Sequence, residues 1–184
     1  LFYSDFDTFG SSFTGSIRVT GSDDDFIGFA LGFNSGDSSN SSADYLLIDW
    51  KKGDQSFDFG APSDTTPGSL AEAGLAVSRV TGTPTADEFW GHDNSAGNPT
   101  GGVEELQRAS TLGSTGWVTG QTYDFTFDFG PNDLEVYVDG MLELDITGSF
   151  NDGAFAFYNF SQAGVTYSGF IQEDGSFPVS EPGI

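Results

Sequence analysis

The spacing of apolar residues leaves this chain little choice but to fold as strands. Apolar side chains recur at intervals of two, in short runs separated by Gly, Asn, Asp and Ser, while spacings of three and four are scarce. The best helical stretch, Ser69-Leu-Ala-Glu-Ala73, is short, sits among glycines and reads as at most one turn. Nine runs read as strands, at 13–20, 26–33, 45–50, 74–80, 122–129, 134–138, 142–146, 154–160 and 165–170. In the first, Phe13, Gly15, Ile17 and Val19 share a face. The second is apolar on both faces, as a central strand is. Asp139-Gly140 lies between alternating runs and predicts a tight hairpin, because a type I′ turn needs positive φ at both central positions. Residues 130–133 predict a second hairpin with a longer loop. Strands in this number with no helices predict an all-β sandwich.

Composition narrows the partners. With 184 residues and 19 Phe, the chain has material for one well-filled core. It carries 28 Asp and Glu against five basic residues, a net charge of -23. That charge excludes nucleic acid and argues against direct contact with an anionic membrane. No cysteine is present, and no run of about 18 apolar residues reads as a membrane span. The chain begins at Leu1 with no signal peptide, which reads as a piece cut from a longer precursor. Residues 1–174 read as one domain and 175–184 as an exposed linker. The long, polar, Gly- and Pro-rich stretch from Thr81 to Gly120 reads as loops that a rigid sandwich would hold out for binding.

Candidate chemistry begins at Asp23, Asp24 and Asp25, three successive carboxylates ahead of the apolar strand at Phe26. They repel one another, so the pattern reads either as a solvated turn or as a site for a hard cation, Ca²⁺ above all. On an extended segment alternate side chains diverge, so Asp23 and Asp25 are expected to share an ion, with Asp24 turned away toward a second ion or solvent. Trp90 and Trp117, with His92 and Asn94, lie in the loop-rich stretch, where they can either contact sugar or pack and bond within the loops. Trp50, at the end of an apolar strand, reads as core. One His without Cys makes no zinc site. No Gly-x-Ser-x-Gly is present. Glu104 and Glu105 are adjacent and would point to opposite faces of a strand, and Glu135 and Asp139 straddle a turn, so no catalytic carboxylate pair is found.

The stretch from Phe13 to Phe33, containing Gly21-Ser-Asp-Asp-Asp-Phe-Ile-Gly-Phe29, followed by Tyr45-Leu-Leu-Ile-Asp-Trp-Lys-Lys52, resembles the C-terminal domain of thrombospondins. Gly74-Leu-Ala-Val-Ser-Arg-Val80, Phe89-Trp-Gly-His-Asp93, Gly116-Trp117 and Ala154-Phe-Ala-Phe-Tyr-Asn-Phe-Ser-Gln162 extend the resemblance over roughly residues 12–170. The resemblance implies a concanavalin or L-lectin-like jelly-roll β-sandwich that binds Ca²⁺ through Asp23, Asp24 and Asp25 and has an adhesive rather than enzymatic role. Val179-Ser-Glu-Pro-Gly-Ile184 resembles the start of the bacterial Pro-Glu-Pro sorting signal, with Ser180 in place of the first Pro. That second resemblance implies a protein secreted by a bacterium to its surface or matrix. The expectation is a non-catalytic extracellular module recognising a polysaccharide or another matrix component. A polysaccharide hydrolase or lyase on the same sandwich, and a purely structural matrix protein, are the alternatives.

Overall fold

A computed structural model of the chain describes residues 2–60 and 65–174. Two antiparallel sheets face each other. The six-stranded sheet runs in the order β1 (Phe2–Asp7), β12 (Ala154–Phe160), β3 (Phe26–Phe33), β4 (Asp44–Lys51), β7 (Gly74–Thr81) and β8 (Val103–Arg108). The five-stranded sheet runs β11 (Met141–Thr147), β10 (Asp133–Val138), β9 (Thr122–Phe129), β2 (Ser11–Val19) and β13 (Val165–Asp174). A two-stranded ribbon, β5 (Gln55–Phe57) with β6 (Ser69–Ala71), and a short helix, α1 (Ala86–Gly91), complete the described residues. The all-β sandwich expected from alternation is the fold observed. Among the described residues no helix is long and apolar enough to cross a membrane.

Period-two alternation divides the side chains of the six-stranded sheet between two apolar clusters. Ile27, Phe29 and Leu31 of β3 and Leu46, Ile48 and Trp50 of β4 point at the five-stranded sheet, where Phe125, Phe127 and Phe129 of β9 meet them. The Phe29 ring lies 4.8 Å from that of Phe127 and 5.1 Å from that of Phe125, spacings that suit edge-on aromatic packing. Phe26, Ala30, Tyr45, Leu47, Val80 and Tyr158 point the other way, into a second cluster. That outer face is covered by α1, by the 3-10 turn at His92–Asn94 and by the ribbon, so β3 and β4 are buried on both sides. The run 26–33, apolar on both faces, belongs in that place.

Two expectations are corrected. Ser69-Leu-Ala71 is a strand, not a turn of helix, because pairing with Gln55–Phe57 outweighs its local preference. The stretch from Thr81 to Gly120 is not loop throughout, since it holds α1 and the edge strand β8. The Asp139-Gly140 hairpin forms as read, with φ of 51° and 78°, and β9 pairs with β10 through the longer loop. The linker and sorting-signal reading at 175–184 lies outside the described residues.

Helix α1 is held by one carboxylate. Thr85 and Glu88 form a reciprocal capping box. The other Glu88 oxygen accepts from the Thr100 N–H and hydroxyl, both at 2.7 Å, and from the Gly102 N–H at 3.0 Å. Burial pushes this carboxyl up, but the hydrogen bonds from Thr85, Gly102 and Thr100 overcome it and hold its pKa at about 2. A depressed folded-state pKa stabilises the fold above the ordinary value of 4.5, and the contribution is lost as pH falls from there toward about 2. Chemical melts of the wild type and Glu88→Gln should therefore show a stability difference at neutral pH that shrinks across that window. A second expectation concerns Gly28, at the centre of β3, where an added Cβ would meet the Ile48 carbonyl oxygen at 2.0 Å. Gly28→Ala should cost about 1–3 kcal/mol, read as a fall of several degrees in Tm.

Candidate functional site

The alternation of β4 builds the site. Leu46, Ile48 and Trp50 go inward, so Tyr45, Leu47, Asp49 and Lys51 line up along the outer face. Two charges are thereby buried beneath the covering layer, and each has partners. Lys51 has no side-chain exposure. Its Nζ donates to the Asp24 carbonyl at 2.6 Å, to Gln55 Oε1 at 3.0 Å and to Asp24 Oδ1 at 3.2 Å, with Asp25 Oδ1 at 3.5 Å. It also sits 4.8 Å from the centroid of the Trp90 ring and 5.9 Å from that of Phe26. Asp49, 1% exposed, accepts through Oδ2 from His92 Nε2 at 3.1 Å. The other ring nitrogen of His92 lies 3.7 Å from Glu105 Oε2. Burial opposes charging of this imidazole, but the two carboxylates overcome it and raise its pKa well above the ordinary 6.5. His92 is therefore an imidazolium clamped between β4 and β8, held at φ 47° and ψ -123°, a strained conformation for a residue with a side chain.

The acidic triplet sits at the end of this row. One oxygen from each of Asp23, Asp24 and Asp25 lies within 4.8 Å of the others, close enough to share a cation. Lys51 is the cation that meets Asp24 and Asp25. Asp24, expected to turn away, makes the closer contact, because the segment bends here and extended geometry begins only at Phe26. Asp23 is exposed, and its Oδ1 accepts from the Asp24 N–H at 3.1 Å. Burial pushes the Asp25 carboxyl up, against the pull of Lys51, and the neighbouring charge of Asp23 adds to the rise. Ca²⁺ takes roughly six to eight oxygen ligands, so carbonyls would have to complete a shell. Here the Asp24 carbonyl accepts from Lys51 Nζ and the Lys52 N–H, and the Asp25 carbonyl accepts from Trp117 Nε1. Both carbonyls thus have partners within the chain, and the Lys51 ammonium stands beside the carboxylates at which Ca²⁺ is expected.

Beside this row lie two depressions that share Phe160. The larger, about 200 Å³, is floored by Tyr45 and Leu47 and walled by Phe89, Tyr158, Phe160 and Pro84. Asp37 stands at its edge, with its two oxygens taken by the Asn34 N–H and Asn40 Nδ2. The smaller, about 100 Å³, is bounded by Phe57, Phe59, Phe160 and Trp90, with Asp25, Gln55 and Ser161 as its polar side. Phe160 lies 5.8 Å from Phe59, which lies 4.7 Å from Phe57, so the aromatic surface is continuous along the trough.

Of the other residues singled out in the sequence, Trp50 and Trp117 are each 1% exposed and belong to the inter-sheet core. Trp117 therefore offers no face to a ligand. Trp90 is 3% exposed and serves as the back wall of the smaller depression and as the roof of Lys51. His92 is buried in its ion pairs, and exposed Asn94 donates to Glu72 Oε2 at 2.9 Å. Glu104 and Glu105 do point apart: Glu105 turns to His92, and Glu104 stands opposite Arg79. The residues that build the trough, Tyr45, Phe59, Phe89, Tyr158 and Phe160, were not singled out. Alternation within 45–51 and 154–160 already set Tyr45, Tyr158 and Phe160 on one face; what the sequence does not carry is that a layer covers this face and leaves a gap.

No family model matches the chain, and no curated protein sequence matches it. Solved structures do. The carbohydrate binding module CBM66 from Bacillus subtilis superposes with a TM-score of 0.59 at 12% identity, over 93% of this chain and 79% of that one. Galectin-Ib of Xenopus laevis gives 0.50 at 13% identity, over 93% and 97%. The homodimeric agglutinin CG-16 from chicken liver gives 0.51 at 11% identity, over 94% and 98%. The fold is that of the lectin-like β-sandwiches.

Lys51→Met should strand two carboxylates beside an apolar wall and cost about 3–5 kcal/mol, read as a lower denaturation midpoint. The wild type should melt at the same temperature in EDTA and in millimolar Ca²⁺; a rise with Ca²⁺ would show that the ammonium yields to the ion.

Proposed function

We propose that this chain is a non-catalytic carbohydrate-binding module that takes a neutral polysaccharide along the aromatic trough on the outer face of the six-stranded sheet. The observation that carries the reading is the trough itself. Phe89, Tyr158 and Phe160 wall a cavity of about 200 Å³ whose floor is apolar, and Phe57, nearly half exposed, extends the aromatic surface outward. Pyranose and furanose rings present C–H faces that pack on such rings, while their hydroxyls reach polar rims. The reading is supported by a fold shared with a protein named as a carbohydrate binding module.

Charge selects among sugars. A net charge of -23 repels uronates and sulfated chains, so the polysaccharide is neutral. The buried carboxylates that line the trough are already engaged, Asp37 with the Asn34 N–H and Asn40 Nδ2 and Asp25 beside Lys51 Nζ, and they line different depressions, which favours binding over cleavage. The acidic surface and the two sequence resemblances suit a setting outside a bacterial cell, where the partner is a polysaccharide of the surface or the extracellular matrix.

Affinity gel electrophoresis against laminarin, levan, galactomannan and arabinogalactan tests the reading. At least one neutral polymer should retard the protein, and pectin and alginate should not. Phe89→Ala, with an unchanged circular dichroism spectrum, should weaken retention about tenfold, the loss of about 1.4 kcal/mol of ring packing. Free migration in all four neutral gels, or release of reducing ends from any of them, would reject a non-catalytic module of this kind.

A further inference from the structure

Four aromatic rings from separate parts of the fold meet around the smaller depression: Phe57 at the end of β5, Phe59 just after it, Trp90 of α1 and Phe160 at the end of β12. The Trp90 ring lies 5.7 Å from that of Phe160, 5.8 Å from that of Phe59 and 6.0 Å from that of Phe57. Neighbouring planes cross at angles between 51° and 89°, so the rings form walls and not a stack. Phe57 is nearly half exposed, so the depression opens to water. Its polar side carries a carboxylate, Asp25, whose side chain keeps 9% exposure. The nearest cation to Asp25, Lys51 Nζ at 3.5 Å, is shared with Asp24 and does not line the depression. Burial pushes the Asp25 carboxyl up, and the charges of Asp23 and Asp24 raise it further against the pull of Lys51, so this corner is short of positive charge.

We propose that this depression binds a methylated ammonium group, held by the ring faces with Asp25 as its counter-ion. Size, walls and charge each select that group. Since an apolar cavity of about 150 Å³ holds the six heavy atoms of benzene, one of about 100 Å³ takes about four, too few for a sugar ring. A trimethylammonium is a nitrogen with three methyls. Aromatic faces attract cations, Trp most strongly, and Trp90 already receives the Lys51 ammonium at 4.8 Å from its centroid. A primary ammonium is strongly hydrated and would have to shed that water among walls with few acceptors; a methylated one has no N–H to leave unpaired. A phosphate or carboxylate would face Asp25 and be repelled. The net charge of -23 draws a cation in from a distance. The site adjoins the larger cavity through Phe160 and does not depend on a sugar there.

Calorimetric titration of the full chain at fixed ionic strength tests the site with no polysaccharide present, so its outcome is separate from that of the gels. Choline should bind at one site per chain. The alcohol in which a tert-butyl group replaces the trimethylammonium has the same shape without the charge and should bind about tenfold more weakly. Ethanolamine, with the charge and no methyls, should be weaker by a similar factor. Phe57→Ala removes an exposed wall and should weaken choline about tenfold, with Tm close to that of the wild type. Equal binding of choline and its uncharged copy would show an apolar pocket and overturn the proposal. A choline heat that does not saturate, that ethanolamine matches, or that Phe57→Ala leaves unchanged would overturn it equally.

Discussion

An ammonium with no exposure to water survives only where acceptors replace the water it lost, and Lys51 collects them from three segments. The bend ahead of β3 gives the Asp24 carbonyl and carboxylate with Asp25; the start of the ribbon gives Gln55; the helix gives the face of Trp90. Trp90 Nε1 in turn donates to the Gln55 carbonyl at 3.1 Å. The covering layer is thereby fastened to the sheet at the point where the triplet would otherwise repel itself apart. One residue further on, Lys52 Nζ donates to Thr119 Oγ1 at 3.0 Å and lies 5.0 Å from the Trp117 ring, on the opposite face. The end of β4 thus pins both layers that the six-stranded sheet meets.

A second clamp works from the same strand. His92 follows α1 in a conformation that costs of order 1–3 kcal/mol, and its ring is held between Asp49 of β4 and Glu105 of β8. Arg108 Nε braces Glu105 at 3.2 Å, and its Nη1 donates to the Ala73 and Gly113 carbonyls. The strain persists because the ion pairs fix the ring from both sides. Together with the Glu88 cap, these contacts set how far α1 stands from the sheet. That distance is what leaves a gap between Phe89 above and Tyr45 and Leu47 below.

The sequence was legible where burial is strong and uniform. The runs 26–33 and 154–160 coincide with β3 and β12 because a central strand is apolar on both faces and has turn residues at its ends. The strands that escaped notice are β1, β8 and the short ribbon. Edge strands carry charge to discourage further pairing, as Asp5 and Asp7 or Glu104 and Glu105 do, so the pattern that marks a strand fades there. Helix α1 was announced only by Thr85 and Glu88, a capping box with one turn of apolar residues behind it. At the site, the triplet raised the question of a cation, and Lys51 is one that lies beside Asp24 and Asp25. What sequence distance hid is that Lys51, 27 residues away, comes to Asp24 because β4 pairs with β3.

The same commitment of basic side chains bears on the exterior. Each of the five basic side chains is spent within the fold: Lys51 and Lys52 as described, Arg79 on Asp44 at 2.6 and 2.7 Å, Arg108 on Glu105, and Arg18 on the Gly120 carbonyl at 3.0 Å. Arg18 stays exposed with a neutral carbonyl as its partner, and five basic side chains in all stand against 28 acidic ones. A surface with that field repels polyanions at a distance. It gives no Coulombic help to a neutral polymer, whose recognition must come from contact alone. A surface of this kind can only be selective through shape and through ring faces, and the trough beneath α1 is where this chain gathers both.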